Sequence, residues 1–534
     1  MTPFVILAYC VIAIYMVLNF KFDIQMFQQN SYRLNRYWKW LRPNIASAWR
    51  LIDIACILLL FSVLLPAPAD TFIVAVVAIV KTGLILRRKY KKPLVFTKRV
   101  WRLYALTAAL ALGASLAAAI CIKPSRIYTG SGYTGISIVA GIMMLISFLS
   151  WLLLIIADIL LMPIEKMIQQ RYIADAKRIL RSMPGLRIVG ITGSYGKTST
   201  KHYLHHILSE KFDTLMTPGS FNTPMGVVRT IREHMKPYNE IFICEMGAKQ
   251  KGDIKEICNI VHPEMGIVTA VGPMHLESFK TIENVQSTKF ELIDALPADG
   301  LAVINNDFEY CANRPVDNVK AIRYAVTNPE GADYRAVDIH YTPQGTRFTV
   351  EGPDGFTLPL ETRLLGECNV SDILAAVCIA VALGVEPDMI RYSVASIGQV
   401  EHRLSIRRTP GGVTIIDDAF NSNPAGSRMA VDVLSHFNET GKRIIVTPGM
   451  IELGDEQYNL NRDLGRHIGE NVDIAIVVGR YNRDAIAEGI SAAGFPADKT
   501  HLVDTFNDAQ KLLATLLAAG DTVLYENDLP DTFK

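Results

Sequence analysis

The chain has 534 residues, half of them hydrophobic, with a formal net charge of +2. That length allows about three domains, and the near-neutral balance argues against a global nucleic-acid-binding charge. Eight cysteines without a CxxC pair argue against a disulfide framework or a zinc site, and suit a reducing cytoplasm for the globular part.

Five apolar stretches come first, at residues 3–20, 51–66, 71–86, 104–122 and 135–161. A bilayer-crossing helix needs about 20 apolar residues. The first, fourth and fifth stretches meet that; the second and third are shorter and carry Asp53 and Lys81, and read as a tight hairpin turning at Pro66-Ala67-Pro68 or as a re-entrant or buried pair. Asp53 and Lys81 are either an intramembrane pair or interfacial residues. The first stretch has no small-residue cleavage site behind it and is read as a retained span. Basic residues crowd two of the connecting loops, Lys21 to Arg50 and Arg87 to Arg102, and are sparse in the other two. The basic loops therefore face the cytoplasm, and with five spans the chain beyond residue 162 lies inside, where ATP is. Residues 24–49, basic with interleaved aromatics, read as an interfacial segment touching anionic lipid rather than nucleic acid.

From about residue 186 short β-branched runs alternate with helical stretches. Strands are expected at 186–191, 240–244, 265–269, 301–304, 412–416, 443–447, 473–478 and 522–525, and helices at 197–210, 370–383, 424–437 and 505–518. This alternation predicts parallel sheets covered by helices, with a seam between two such domains at Gly398 to Arg403.

Residues 190–199, GITGSYGKTS, place a glycine turn between a strand and a helix. Backbone N–H groups of such a turn and the helix N-terminus cradle phosphate. Gly193, Ser194, Gly196, Lys197, Thr198 and Ser199 are the candidate nucleotide contacts. Lys197 neutralises the terminal phosphates, and the Thr198 hydroxyl is a Mg²⁺ ligand. The general G-x-x-x-x-G-K-[ST] pattern fails at Ile191, and the tighter TGSxGKT form stands in its place.

TGSYGKTS resembles the nucleotide loop of the Mur ligase family, and further segments follow in that family's order: TPGSFNTPMG (217–226), EMGAKQKGDI (245–254), GPMHLE (272–277), STKFEL around Lys289, DDAFNSNP (417–424) and GMIELGDE (449–456). The match spans about residues 186–480 and is nearest the branch that adds D-alanyl-D-alanine. The apolar stretches and the resemblance together imply a multi-domain chain: an α-helical transmembrane region (1–165), read from hydropathy, then a P-loop-type central ATP-binding α/β domain (166–398) and a Rossmann-like C-terminal α/β domain (399–534), read from the resemblance. It implies an ADP-forming ligase that activates a carboxylate as an acyl phosphate and joins it to an amine. Its cofactors would be ATP and Mg²⁺, with a carbamylated lysine at Lys289. Its partners would be a carboxylate-bearing cell-wall precursor, an amino acid or dipeptide, and membrane lipid, with no nucleic acid.

The resemblance also assigns roles. Glu245, His275 and carbamylated Lys289 join Thr198 as metal ligands; Lys197, Lys289, His275 and Arg403 are catalytic; Asn369, Asp418 and Asn421 contact nucleotide; Ser220, Asn222 and Asn423 contact substrate. The sequence departs from the family at several points. Five apolar stretches stand where the UDP-precursor-binding domain would be. Ala270 replaces an asparagine, Cys368 a histidine and Asp372 a second asparagine, and the acidic end VLYENDLPDTFK lacks the family's K-G-S-R. The expected location is the inner membrane, multi-pass, with the ligase domains cytoplasmic. Open alternatives are a lipid-linked or other envelope carboxylate as acceptor, polyglutamate-type synthesis, and an ATP-driven transporter, although no LSGGQ-like signature follows the loop.

Overall fold

The computed structural model describes residues 3–30, 32–45, 47–61, 69–87, 93–121, 134–342, 345–419, 423–437 and 441–528. The chain divides into two compact units, residues 1–170 and 171–529.

The first unit is helical: Pro3–Gln29, Leu34–Asn44, Ala48–Phe61, Ala69–Arg87, Lys98–Cys121, Thr134–Phe148 and Ser150–Arg181, the last running on into the second unit. Three of these, Pro3–Gln29, Ala69–Arg87 and Lys98–Cys121, are long and apolar enough to cross a membrane, and the number rises to five if each of two bent pairs is one span. The apolar stretch 135–161 is therefore not one straight helix. It breaks at Leu149, and its halves meet at 64°. The break adjoins Ser150, whose hydroxyl bonds the Asp23 carboxylate. The stretch 71–86, short by composition, gains length because its helix starts at Ala69 and runs to Arg87. The turn expected at Pro66-Ala67-Pro68 lies outside the described residues.

Several buried charges inside this unit are paired. Tyr15, Asn19 and Asp23 recur every four residues and so share one face of the first helix. Lys81 Nζ lies 2.7 Å from Asp53 Oδ1, with the Tyr15 hydroxyl 2.9 Å from the same oxygen. Arg50 Nη2 lies 2.6 Å from Asp23 Oδ1. A charge buried alone would be costly, so each brings its opposite. Phe4, Leu58, Phe72, Leu116 and Ile120 point outward, each more than 60% exposed.

The second unit holds two sheets. Its first contains β1 (Arg187–Thr192), β2 (Thr214–Met216), β3 (Ile241–Glu245), β4 (Met265–Val268), β5 (Leu301–Asn305), β6 (Lys320–Ala325), β7 (Tyr334–Thr342), β8 (Gly345–Glu351) and β9 (Thr357–Thr362), in the order β2-β3-β1-β4-β5-β6-β7-β8-β9. The pairings are parallel up to β7, and β8 and β9 close the edge antiparallel. The second sheet contains β10 (Ser405–Arg408), β11 (Thr414–Asp418), β12 (Arg443–Thr447), β13 (Ile474–Val478), β14 (Thr500–Val503) and β15 (Thr522–Glu526), in the order β10-β11-β15-β12-β13-β14. Only β10 pairs antiparallel.

The central strands read as unbroken apolar runs because helices cover both faces. In β3, Ile241 and Ile243 join the core beneath helices Lys197–Leu208 and Glu367–Ala382, while Phe242 and Cys244 join the opposite core. Each such large side chain contributes roughly 1.5–3 kcal/mol on burial. The eight strands expected from sequence all occur, with no end shifted by more than two residues. The strands not foreseen are β2, β6 to β10 and β14. Most are half-exposed edge or near-edge strands whose polar outward residues dilute the apolar signal.

Candidate active site

In the first sheet the chain crosses from β1 to β2 and β3 on one side and to β4 and β5 on the other, so the C-terminal end of β1 is a topological switch point, where ligands bind in open α/β sheets. The glycine loop 193–196 sits there, followed by helix Lys197–Leu208. A Cβ at Gly193 would come within 2.0 Å of Thr269 Oγ1. Gly196 caps the helix at φ 74°, in the left-handed region that favours glycine, and a Cβ there would stand 2.3 Å from Asp372 Oδ1. Segment 269–273 braces the loop. Ser194 N–H donates to the Ala270 carbonyl (2.7 Å), Ser194 Oγ exchanges two 3.1 Å bonds with Gly272, and the Tyr195 hydroxyl donates to the Pro273 carbonyl (3.3 Å).

Lys197 Nζ donates to two carbonyls of its own loop, Gly193 (2.7 Å) and Ser194 (3.2 Å). Burial lowers its pKa to about 8, with Arg403 adding to the shift and Glu245 and Asp372 opposing it. Glu245 ends β3 beside the loop. Its Oε1 accepts from Asn222 Nδ2 (2.9 Å) and from the Thr198 hydroxyl (3.3 Å), and Lys201 Nζ lies 2.9 Å from its Oε2. Burial alone would raise the Glu245 pKa; Lys201, Lys197 and Asn222 outweigh it and hold the acid below its ordinary value. Thr198, Asn222 and Glu245 are thus brought together. Lys201, which also donates to the Gly219 carbonyl (2.6 Å), was not foreseen. Its signal was its place four residues after Lys197, one turn along the same helix.

Lys289, on helix Ile282–Asp294, is buried with no ion-pair partner among the described residues. Burial, then repulsion from Lys197, pushes its pKa well below that of an ordinary lysine. His275 sits at φ 53° before the short helix Leu276–Phe279, and its Nδ1 bonds the Glu452 carboxylate from the second sheet. Burial lowers the His275 pKa, against the pull of Glu452.

Asn369 uses both ends of its amide within the protein, accepting from the Tyr203 hydroxyl (2.5 Å) and donating to the Leu365 carbonyl (2.7 Å). Ser199 is buried on the same side, toward Asp372. Asp372 accepts from the Thr200 hydroxyl (2.9 Å), and burial raises its pKa to about 8 against the charges of Arg403 and Lys197. Between the unfolded value of about 4 and that folded value the native state holds the extra proton, so stability falls as pH rises across the window. Asp372→Asn removes this penalty. It is expected to raise Tm by at least about 2 °C at pH 8 and to leave it unchanged at pH 4, as read by calorimetry.

Arg403 lies between two residues of left-handed backbone, His402 (φ 59°) and Leu404 (φ 48°). Each is tied to an acid at the end of β11: His402 Nδ1 to Asp417 (2.8 Å), and Leu404 N–H to Asp418 (3.2 Å). Burial lowers the Arg403 pKa, while Asp418, Glu245 and Asp372 oppose it, so this arginine sits within the field of the phosphate-loop acids. Burial raises Asp418 to about 7. Asn423 caps helix Pro424–Ser435, its Oδ1 accepting from Gly426 N–H (2.8 Å). Ser220 is exposed, and its carbonyl accepts from Asn222 N–H (2.8 Å). Asn421 lies outside the described residues.

Among the described residues no cluster of three or more His, Cys, Asp or Glu side chains is gathered that could hold a metal ion. The adjacent Thr198 hydroxyl and Glu245 carboxylate nevertheless fit Mg²⁺. That ion takes one or two protein oxygens and fills its shell from phosphates and water.

A phosphate loop at the switch point of one sheet, braced by a segment that a histidine–glutamate bond ties to a second α/β sheet, is the layout of a two-domain nucleotide-using enzyme. The Mur ligase middle domain matches residues 191–380, and the Mur ligase glutamate ligase domain matches residues 402–525. The UDP-N-acetylmuramoyl-tripeptide--D-alanyl-D-alanine ligase of Escherichia coli (strain K12) is 30% identical over 346 residues, covering 64% of this chain and 75% of that protein. The protein of the same name from Bacillus subtilis (strain 168) is 28% identical over 353 residues, covering 66% and 75%. The crystal structure of MurF ligase from Thermotoga maritima in complex with ADP superposes with a TM-score of 0.60 at 28% identity, covering 67% of this chain and 80% of that one. The chain belongs to the Mur ligase family, whose members are ADP-forming peptide ligases.

Proposed function

We propose that the protein joins D-alanyl-D-alanine, or a similar amino acid or dipeptide, to the carboxylate of UDP-MurNAc-tripeptide in peptidoglycan synthesis, converting ATP to ADP. The observation that carries this reading is the group Lys197, Thr198, Asn222, Lys201 and Glu245 at the switch point, within a chain whose relatives bear that ligase name. A substrate carboxylate oxygen attacks the γ-phosphorus of ATP and ADP departs. The amine then attacks the acyl phosphate carbon, phosphate leaves, and the amine gives up a proton. Every early participant is anionic, so Lys197, Arg403 and the loop N–H groups do most of the stabilising. Thr198 and Glu245, with His275 and Lys289, would hold Mg²⁺, which would supply further charge neutralisation at the phosphates. Lys289 serves as a carbamate in this reading. A buried amine without a counter-ion reacts in its neutral form with CO₂: nitrogen bonds the carbon, one C=O π pair moves to oxygen, and the nitrogen gives up a proton to solvent, leaving an anion suited to a cation-rich site.

The domain division that goes with this function is a membrane region at 1–165, a nucleotide domain at 166–398 and a C-terminal domain at 399–534. The apolar helices would hold the ligase at the inner face of the membrane. A second reading, a lipid-linked carboxylate as acceptor, is favoured by this helical unit, which lies outside the matched residues. Detergent-purified protein given Mg-ATP, bicarbonate, UDP-MurNAc-tripeptide and D-alanyl-D-alanine is expected to form UDP-MurNAc-pentapeptide with one ADP each, seen by mass spectrometry. No product, but ADP release on adding a membrane lipid extract and amino acids, would replace the soluble acceptor with a lipid-linked one.

A further inference from the structure

His275 and Glu452 are 177 residues apart in sequence and lie in loops that follow strands of different sheets, yet their side chains are hydrogen-bonded. Both have left-handed backbone, at φ 53° and φ 63°. Non-glycine residues hold that conformation only where their surroundings impose it. The contact is not one bond alone. Glu277 N–H donates to the Glu452 carbonyl (3.3 Å), and Lys249 Nζ lies 3.7 Å from Glu452 Oε1. Two residues on, Gly454 (φ 65°) also packs on this segment, since a Cβ there would stand in van der Waals contact with Leu276 and Glu277. Loop 449–456 of the second sheet is thus seated on segment 272–277, the same segment whose Gly272 and Pro273 brace the phosphate loop through Ser194 and Tyr195.

The bond engages Nδ1 of His275, which leaves Nε2 as the ring nitrogen for a ligand. A carboxylate on the far nitrogen of a metal-binding histidine fixes its tautomer and ring orientation and raises its basicity. We propose that Glu452 is a positioning residue for His275: the second sheet supplies the carboxylate that aims this histidine at the metal of the first sheet's site, so that site is complete only while loop 449–456 is seated. This rests on the reading of His275 as a metal ligand.

The test uses the full-length protein in detergent with Mn²⁺ as probe. Free Mn²⁺ is counted by electron paramagnetic resonance in the presence of ADP, alongside kcat and the ATP KM with Mg²⁺. Glu452→Gln, which keeps shape and volume, is expected to weaken Mn²⁺ binding about 10-fold and to lower kcat, with the ATP KM within about 2-fold and Tm unchanged. His275→Ala is expected to weaken Mn²⁺ at least as much, and the double variant to match His275→Ala alone, since the glutamate acts through the histidine. Glu452→Asp, which keeps the charge, should recover part of the affinity. Unchanged Mn²⁺ affinity in Glu452→Gln, or losses that add in the double variant while His275→Ala is impaired, would overturn the positioning role. Wild-type Mn²⁺ affinity in His275→Ala would overturn it through the other door, by removing the histidine from the metal site.

Discussion

Lys197→Ala lowers ATP-dependent product formation by about 10³-fold or more, on the scale of losing a main cationic contact to a transferring phosphoryl group. Lys197 is the first residue of the helix behind Gly196, and its ammonium is held at the glycine loop by the Gly193 and Ser194 carbonyls. The alanine keeps the helix and the loop's N–H groups but removes the ammonium that this loop holds for the phosphate. With burial holding its pKa near 8, Lys197 is mostly protonated at neutral pH, and anionic phosphate favours that form further. The measurement is ADP release and product mass under saturating ATP, with Tm as a folding control. Retention of more than a tenth of wild-type turnover would remove this loop from the chemistry.

Lys289→Ala is expected to cost about 10²–10³-fold in turnover and to recover in part when formate or acetate is supplied. The physical ground is the environment of the side chain: buried, repelled by Lys197 and lacking an ion-pair partner among the described residues. A carbamate resolves that conflict by exchanging a buried cation for an anion beside other cations. A small carboxylate entering the space left by the truncated chain restores the anion without the tether. Turnover in the parent protein should also fall when CO₂ and bicarbonate are stripped from the buffer. Normal rates in Lys289→Ala, or a deficit that no carboxylate relieves, would leave Lys289 as a buried structural lysine.

Much of the fold follows from local pattern. β1, β3, β4, β5, β12 and β13 are short β-branched runs buried on both faces, and that composition has few other stable uses in a chain where helical stretches separate the runs. The phosphate loop was legible for the same reason: glycine at Gly193 and Gly196, lysine and threonine behind them, a strand before and a helix after are all neighbours in sequence. The antiparallel strands between Tyr334 and Thr362 were not legible. One of their faces is wet, and partner choice rather than residue type makes them strands.

By itself, then, the sequence determined the alternation that builds two α/β sheets, the nucleotide loop and the family to which the chain belongs, because each depends on residues close together along the chain. It left Asp53 and Lys81 open between a pair and two interfacial residues. Only the tertiary structure joined them, paired Asp23 with Arg50, broke the last apolar stretch at Leu149, set Lys201 against Glu245 and brought Glu452 to His275. These are contacts between groups far apart in sequence. They form because a buried charge or polar group needs a partner, and which partner it finds depends on how the helices and sheets pack.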